Sequence, residues 1–70
     1  MSALSLEKAA LMLYRVEFVD HSNNARAVER IDRATDAEAT EAAHKMNVTA
    51  FFIAGFDVWE GDRLVHRHRR

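Results

Sequence analysis

The sequence predicts an α+β domain of strand, strand, helix, strand, strand, built as a four-stranded, largely antiparallel sheet with one helix on one face. Three observations carry this. Tyr14, Val16 and Phe18 alternate with Arg15 and Glu17, the period of a strand with one buried face. Thr35-Asp-Ala-Glu38 opens the one stretch with clear helical spacing. Gly61-Asp62 separates two apolar runs as a two-residue hairpin turn.

Residues Met1 to Ala10 read as an N-terminal extension, partly frayed, in which Ser5-Leu-Glu-Lys8 has the composition of a short helix start. The first strand runs from Leu11 to Asp20. Asp20-His-Ser-Asn-Asn24 is a run of turn formers, and asparagine tolerates the left-handed backbone such loops require. The return strand, Arg26 to Arg33, alternates less cleanly. Its charges suit an edge, where charge discourages unwanted pairing.

The helix spans Thr35 to Asn47, with Thr35 as N-cap and Asn47 as C-cap. In a capping box the Thr35 hydroxyl accepts from the Glu38 amide, and the Glu38 side chain reaches back to the Thr35 amide. Acids crowd its first half, and His44 and Lys45 sit near its end, matching the helix dipole. Ala39, Ala42, Ala43 and Met46 form a narrow stripe, small enough for close approach to a sheet. Val48 to Ala54 is nearly all apolar and reads as a further helical turn or a buried connector.

The closing hairpin runs from Phe56 to His66. Glycine at the first central position suits a type II′ turn. The register that follows pairs Glu60 with Arg63, Trp59 with Leu64, Val58 with Val65, and Asp57 with His66. Phe56, Val58 and Val65 then share one face, and Trp59 and Leu64 the other. The strand order is left open by the sequence.

Seventy residues make one domain. We place it at residues 11–68, with residues 69–70 as a basic tail. A chain this short buries only about 60% of its unfolded surface. It has no cysteine, which excludes disulfides, thiolate zinc sites and thiol chemistry. Arg63 to Arg70 carries four arginines and no acid, so the remainder holds -5 of a net charge of -1. No apolar run approaches the roughly 20 residues of a membrane span, and no secretory leader is recognisable. The expectation is a soluble cytoplasmic protein with no membrane partner.

Tyr14-Arg-Val-Glu-Phe18, Thr35-Asp-Ala-Glu-Ala39 and the closing Phe56-Asp-Val-Trp-Glu-Gly-Asp-Arg-Leu-Val-His66 together resemble a group of small, uncharacterised alphaproteobacterial proteins. These share a closing segment of the form hydrophobic-x-Trp-x-Gly-x-Arg-Leu-Val. The resemblance implies a bacterial origin and a compact domain. It transfers no activity and no catalytic residue.

Asp20-His21-Ser22 has the residue types of a hydrolase triad. A triad, however, sets its base between acid and nucleophile from separate elements, and three adjacent residues in a turn do not. No enzyme activity and no cofactor is expected. Asp57, His66 and His68 are candidates for a metal site, since the two imidazoles share a strand face and the acid is placed opposite His66. The competing reading is an exposed acid–imidazole pair. Arg63, Arg67, Arg69 and Arg70 could neutralise phosphates of a nucleic acid, although the acidic body would repel the same phosphates.

Trp59 and Leu64, with Leu13 and Val19 of the first strand, are the candidate interface if the helix covers the other face. Exposed apolar patches usually mark association sites, and tryptophan is a frequent anchor. With the faces reversed, Trp59 would be core. The function expected is therefore a protein-interaction module that homodimerises or takes another protein partner. The alternatives are a nucleic-acid accessory protein and a small metal-binding sensor.

Overall fold

The computed structural model describes residues 11–46 and 52–70. The order is β1 (Met12–Asp20), β2 (Ala25–Arg33), α1 (Asp36–Lys45), β3 (Ile53–Glu60) and β4 (Arg63–Arg69). The four strands form one sheet in the order β2-β1-β3-β4, with every neighbouring pair antiparallel. β2 and β3 flank β1 and therefore run parallel to each other, and α1 carries the chain from one to the other. β1 is central, and its alternating Tyr14, Val16 and Phe18 are buried on the helix side. The charged return strand takes the outer place, as its composition predicts.

The core lies between sheet and helix. Tyr14, Val16, Phe18, Ile53, Phe56 and Val58 pack against Ala39 and Ala43, with Met12, Ile31, Met46 and Val65 at its margin. Val16 stands opposite Val58 and Phe18 opposite Phe56. The two phenylalanine rings meet edge-on at 6.1 Å. Complete burial of such a side chain stabilises by about 1.5–3 kcal/mol. Ala39 and Ala43 are fully buried, so the alanine stripe does bring the helix close to the sheet.

Local details follow and refine the sequence reading. Thr35 is the N-cap, and its hydroxyl accepts from the Glu38 amide at 3.1 Å. Such a cap stabilises by about 1 kcal/mol. The reciprocal bond differs from expectation: the Glu38 carboxylate accepts from the amide of Ala34, at 3.3 Å. The helix spans Asp36–Lys45, with Met46 in the C-cap position. Asn23 adopts the left-handed backbone, with φ of 66°. Gly61 has φ of 60°, as a type II′ turn demands of its first central residue. The predicted N-terminal extension, Asn47 and most of the apolar connector lie outside the described residues.

Three corrections concern the closing hairpin. β3 begins at Ile53, so Ile53 and Ala54 are strand and not connector. The turn register holds for Glu60–Arg63 and Trp59–Leu64 and then slips at a bulge: Val58 faces His66, Asp57 faces Arg67, Phe56 faces His68 and Gly55 faces Arg69. Val65 is the extra residue, and it turns toward the core. A bulge places two residues against one and so inverts the alternation beyond it. The strand also continues through Arg69, which belongs to the sheet and not to a tail.

Candidate interaction surface

On the face of the sheet away from α1, the cross-strand register brings Leu13, Trp59 and Leu64 to the end near the β3–β4 turn. Trp59 stands between Arg15 on β1 and Leu64 on β4. Leu13 is two residues before Arg15 on the same face. Leu13 and Leu64 are exposed at 59% and 41%, while Trp59 is half-buried. The Arg15 guanidinium lies 5.6 Å from the Trp59 ring centre, a cation–π contact. Arg15 also binds Glu17 at 2.8 Å. The Trp59 indole N–H is buried with no hydrogen-bond acceptor among the described residues. Val19, the fourth predicted interface residue, is not part of this patch. It sits six positions along β1 from Leu13, roughly 20 Å away at strand rise, and is only 3% exposed.

Beyond the bulge this face becomes ionic. Asp57 is 5% exposed and opposes Glu17 on β1, a like-charge neighbour. Two arginines of β4 resolve the conflict. Arg69 donates to Asp57 at 2.8 Å and Arg67 at 3.1 Å. Burial pushes the Asp57 carboxyl up, but the hydrogen bonds from Arg69 and Arg67 outweigh it and hold it below the usual carboxylate range. Arg69 reaches further, to Asn23 in the first turn at 3.3 Å, and so crosses Gly55 and Val19 in its row. Gly55 allows the close approach of β4: a Cβ there would stand 2.0 Å from the His68 carbonyl oxygen.

The same bulge sends His66 and His68 to the helix side. There His44 of α1 packs 5.5 Å from His66 and 5.1 Å from His68, centre to centre, and His68 lies 5.2 Å from Phe56. Burial pushes the His68 imidazole below its usual range, helped by His44 and His66. Asp57 is thus on the opposite face from the two histidines, and the candidate trio is not brought together. Among the described residues no three His, Cys, Asp or Glu side chains are placed to hold one.

The remaining candidates are held in structural roles. Arg63 grips Asp36 at the start of α1, at 2.9 Å, and Glu60, also at 2.9 Å. The Tyr14 hydroxyl donates to the same Asp36 at 2.8 Å. Burial and this bond push the Tyr14 phenol up to about 12, while the bonds from Arg63 and Tyr14 hold Asp36 low. Strand, helix start and hairpin turn are thereby tied together. The Arg70 amide donates to the Ala54 carbonyl at 2.8 Å and so prolongs the β3–β4 pairing by one bond. In the first turn, the Asp20 carboxylate accepts from the amides of Ser22 and Asn24, the geometry of a turn and not of a triad.

Sequence reasoning did not single out Arg15, Glu17 and His44. Arg15 and Glu17 were legible as the polar half of β1, but their neighbours depended on strand order. Among the described residues no helix is long and apolar enough to cross a membrane. Comparison with family models, with curated proteins and with solved structures yields no match to this chain.

Proposed function

We propose that this chain is a small interaction module that associates with a second copy of itself, and not an enzyme. The observation that supports this is the convergence of Leu13, Trp59 and Leu64 on the face that α1 leaves uncovered. A two-fold contact sets a patch against itself. It therefore favours an apolar centre bordered by both charge signs. Arg15 with Glu17, and Asp57 with Arg67 and Arg69, supply such a border. A short chain without disulfides also gains much from the added burial.

Light scattering over a dilution series tests this, with Leu13→Lys and Leu64→Lys beside the unaltered chain. Association should weaken about tenfold or more in each variant, the loss expected at a central contact, and Trp59 emission should shift to shorter wavelength as the copies meet. A chain that stays monomeric at high concentration would reject self-association. The nucleic-acid alternative has less support, because Arg63, Arg67 and Arg69 are engaged with Asp36, Glu60 and Asp57 of their own chain.

A further inference from the structure

β2 is an outer strand whose residues Ala25 to Arg30 are all exposed. Elsewhere on the sheet most strand charges find partners within the chain: Arg15 with Glu17, Arg26 with Asp20, Arg63 with Asp36 and Glu60, and Arg67 and Arg69 with Asp57. Glu29, Arg30, Asp32 and Arg33 enter no ion pair among the described residues. Arg30 even stands directly opposite Arg15, an unfavourable like-charge pair.

We propose that β2 pairs antiparallel with β2 of a second copy, in the register that sets Ile31 against Ile31, fusing two four-stranded sheets into one of eight strands. An outer strand offers a row of backbone donors and acceptors for such pairing. Antiparallel joining of two identical edges requires a two-fold axis perpendicular to the sheet. Cross-strand partners then share a face. Tyr14 opposes Ile31, Val16 opposes Glu29 and Met12 opposes Arg33, so these three β2 residues face the helix side, while Arg30 and Asp32 face the open side. With the axis at Ile31, Arg30 meets Asp32 of the second copy on the open side, and Glu29 meets Arg33 on the helix side. Each pairing occurs twice, around a central isoleucine pair that extends the margin of the core.

The other axes forgo this complementarity: one at Ala27 forms no opposite-charge pair, and one at Val28 sets Arg26 against Arg30. An axis at Glu29, Arg30 or Asp32 opposes that charge to itself. The complementarity is thus a property of the strand with its own copy, which identifies the partner. The axis keeps both helices on one side of the joined sheet and both Leu13–Trp59–Leu64 patches on the other. The edge contact is therefore additional to the face contact and separable from it.

The test is a charge exchange read by light scattering in the Leu64→Lys background, where the face contact is weakened at a strand that does not touch β2. The background chain should dimerise. Arg30→Asp and Asp32→Arg, each alone, should weaken that dimer about tenfold or more, since each change sets like charges opposite at two places. The double variant Arg30→Asp/Asp32→Arg should restore it, and this restoration also shows that the variants fold. In the otherwise unaltered chain, which has no cysteine, Ile31→Cys should form a disulfide dimer on oxidation, because directly opposed strand residues lie within bridging distance. Glu29→Cys, which opposes Arg33, should not. A monomeric background chain, failure of the double variant to restore dimers, or cross-linking at position 29 instead of 31 would overturn the edge contact. If the β2 charges have no effect while Leu64→Lys alone abolishes association, the edge proposal falls and the face contact stands.

Discussion

The two outer strands of this sheet are built in opposite ways. β4 is closed upon its own chain. Its bulge turns Val65 into the core, its imidazoles pack on His44 and Phe56, and three of its arginines are engaged by Asp36, Glu60 and Asp57. β2 is regular over most of its length and exposed, and the charges of its second half have no ion partner among the described residues. The contrast sets an edge held by its own chain against an edge of exposed charge, and the pairing proposed above is the case in which that charge meets its complement on a second copy.

The contrast can be broken most severely at Gly55. Its Cβ position lies 2.0 Å from the His68 carbonyl oxygen, which is backbone and cannot swing away. Gly55→Ala should cost more than about 3 kcal/mol, beyond ordinary overpacking, or prevent folding, as measured by urea denaturation. A neutral result would mean that β4 does not approach β3 this closely.

A smaller effect compares one arginine from each edge. Arg69→Ala removes the shortest bond to a carboxylate that is 5% exposed. It should cost about 2 kcal/mol and raise the Asp57 pKa, which carboxyl NMR would read. Arg30→Ala should change monomer stability by no more than about 0.5 kcal/mol. Equal losses would erase the distinction between the edges.

The mildest test is pH. The unfolded His68 imidazole titrates near 6.5, while the folded one titrates lower. As pH falls below about 6.5 the unfolded chain takes up the proton first, so this contribution to stability is lost from there downward until the folded pKa is passed. Urea midpoints should therefore drop between pH 7.5 and pH 5.5. His68→Phe, which keeps a ring beside Phe56 and His44, should flatten part of that drop. A variant as pH-sensitive as the unaltered chain would show that His68 is not the source.

Much of this architecture was present in local sequence. The alternation of Tyr14, Val16 and Phe18, the Thr35 cap, the alanine stripe, the left-handed asparagine and the Gly61 turn each rest on interactions within a few residues. The apolar half of the candidate patch was legible for the same reason: Trp59 and Leu64 lie beside the turn that sets their register. Val19 was misplaced in that patch because alternation gives the face but not the distance along it.

By itself, then, the sequence determined the element order, the helix cap, the hairpin turn and which residues of β1 face the core, while the buried face of β3 was left open. Tertiary structure alone decided that β1 lies between β2 and β3, that β3 starts at Ile53, and that β4 slips at Val65. The physical reason is that a bulge is not favoured by its own residues. It is stabilised by what it brings together: Val65 with the core, His66 and His68 with His44, and Arg67 and Arg69 with Asp57. All of these contacts join separate elements, and one extra residue inverts every side chain after it.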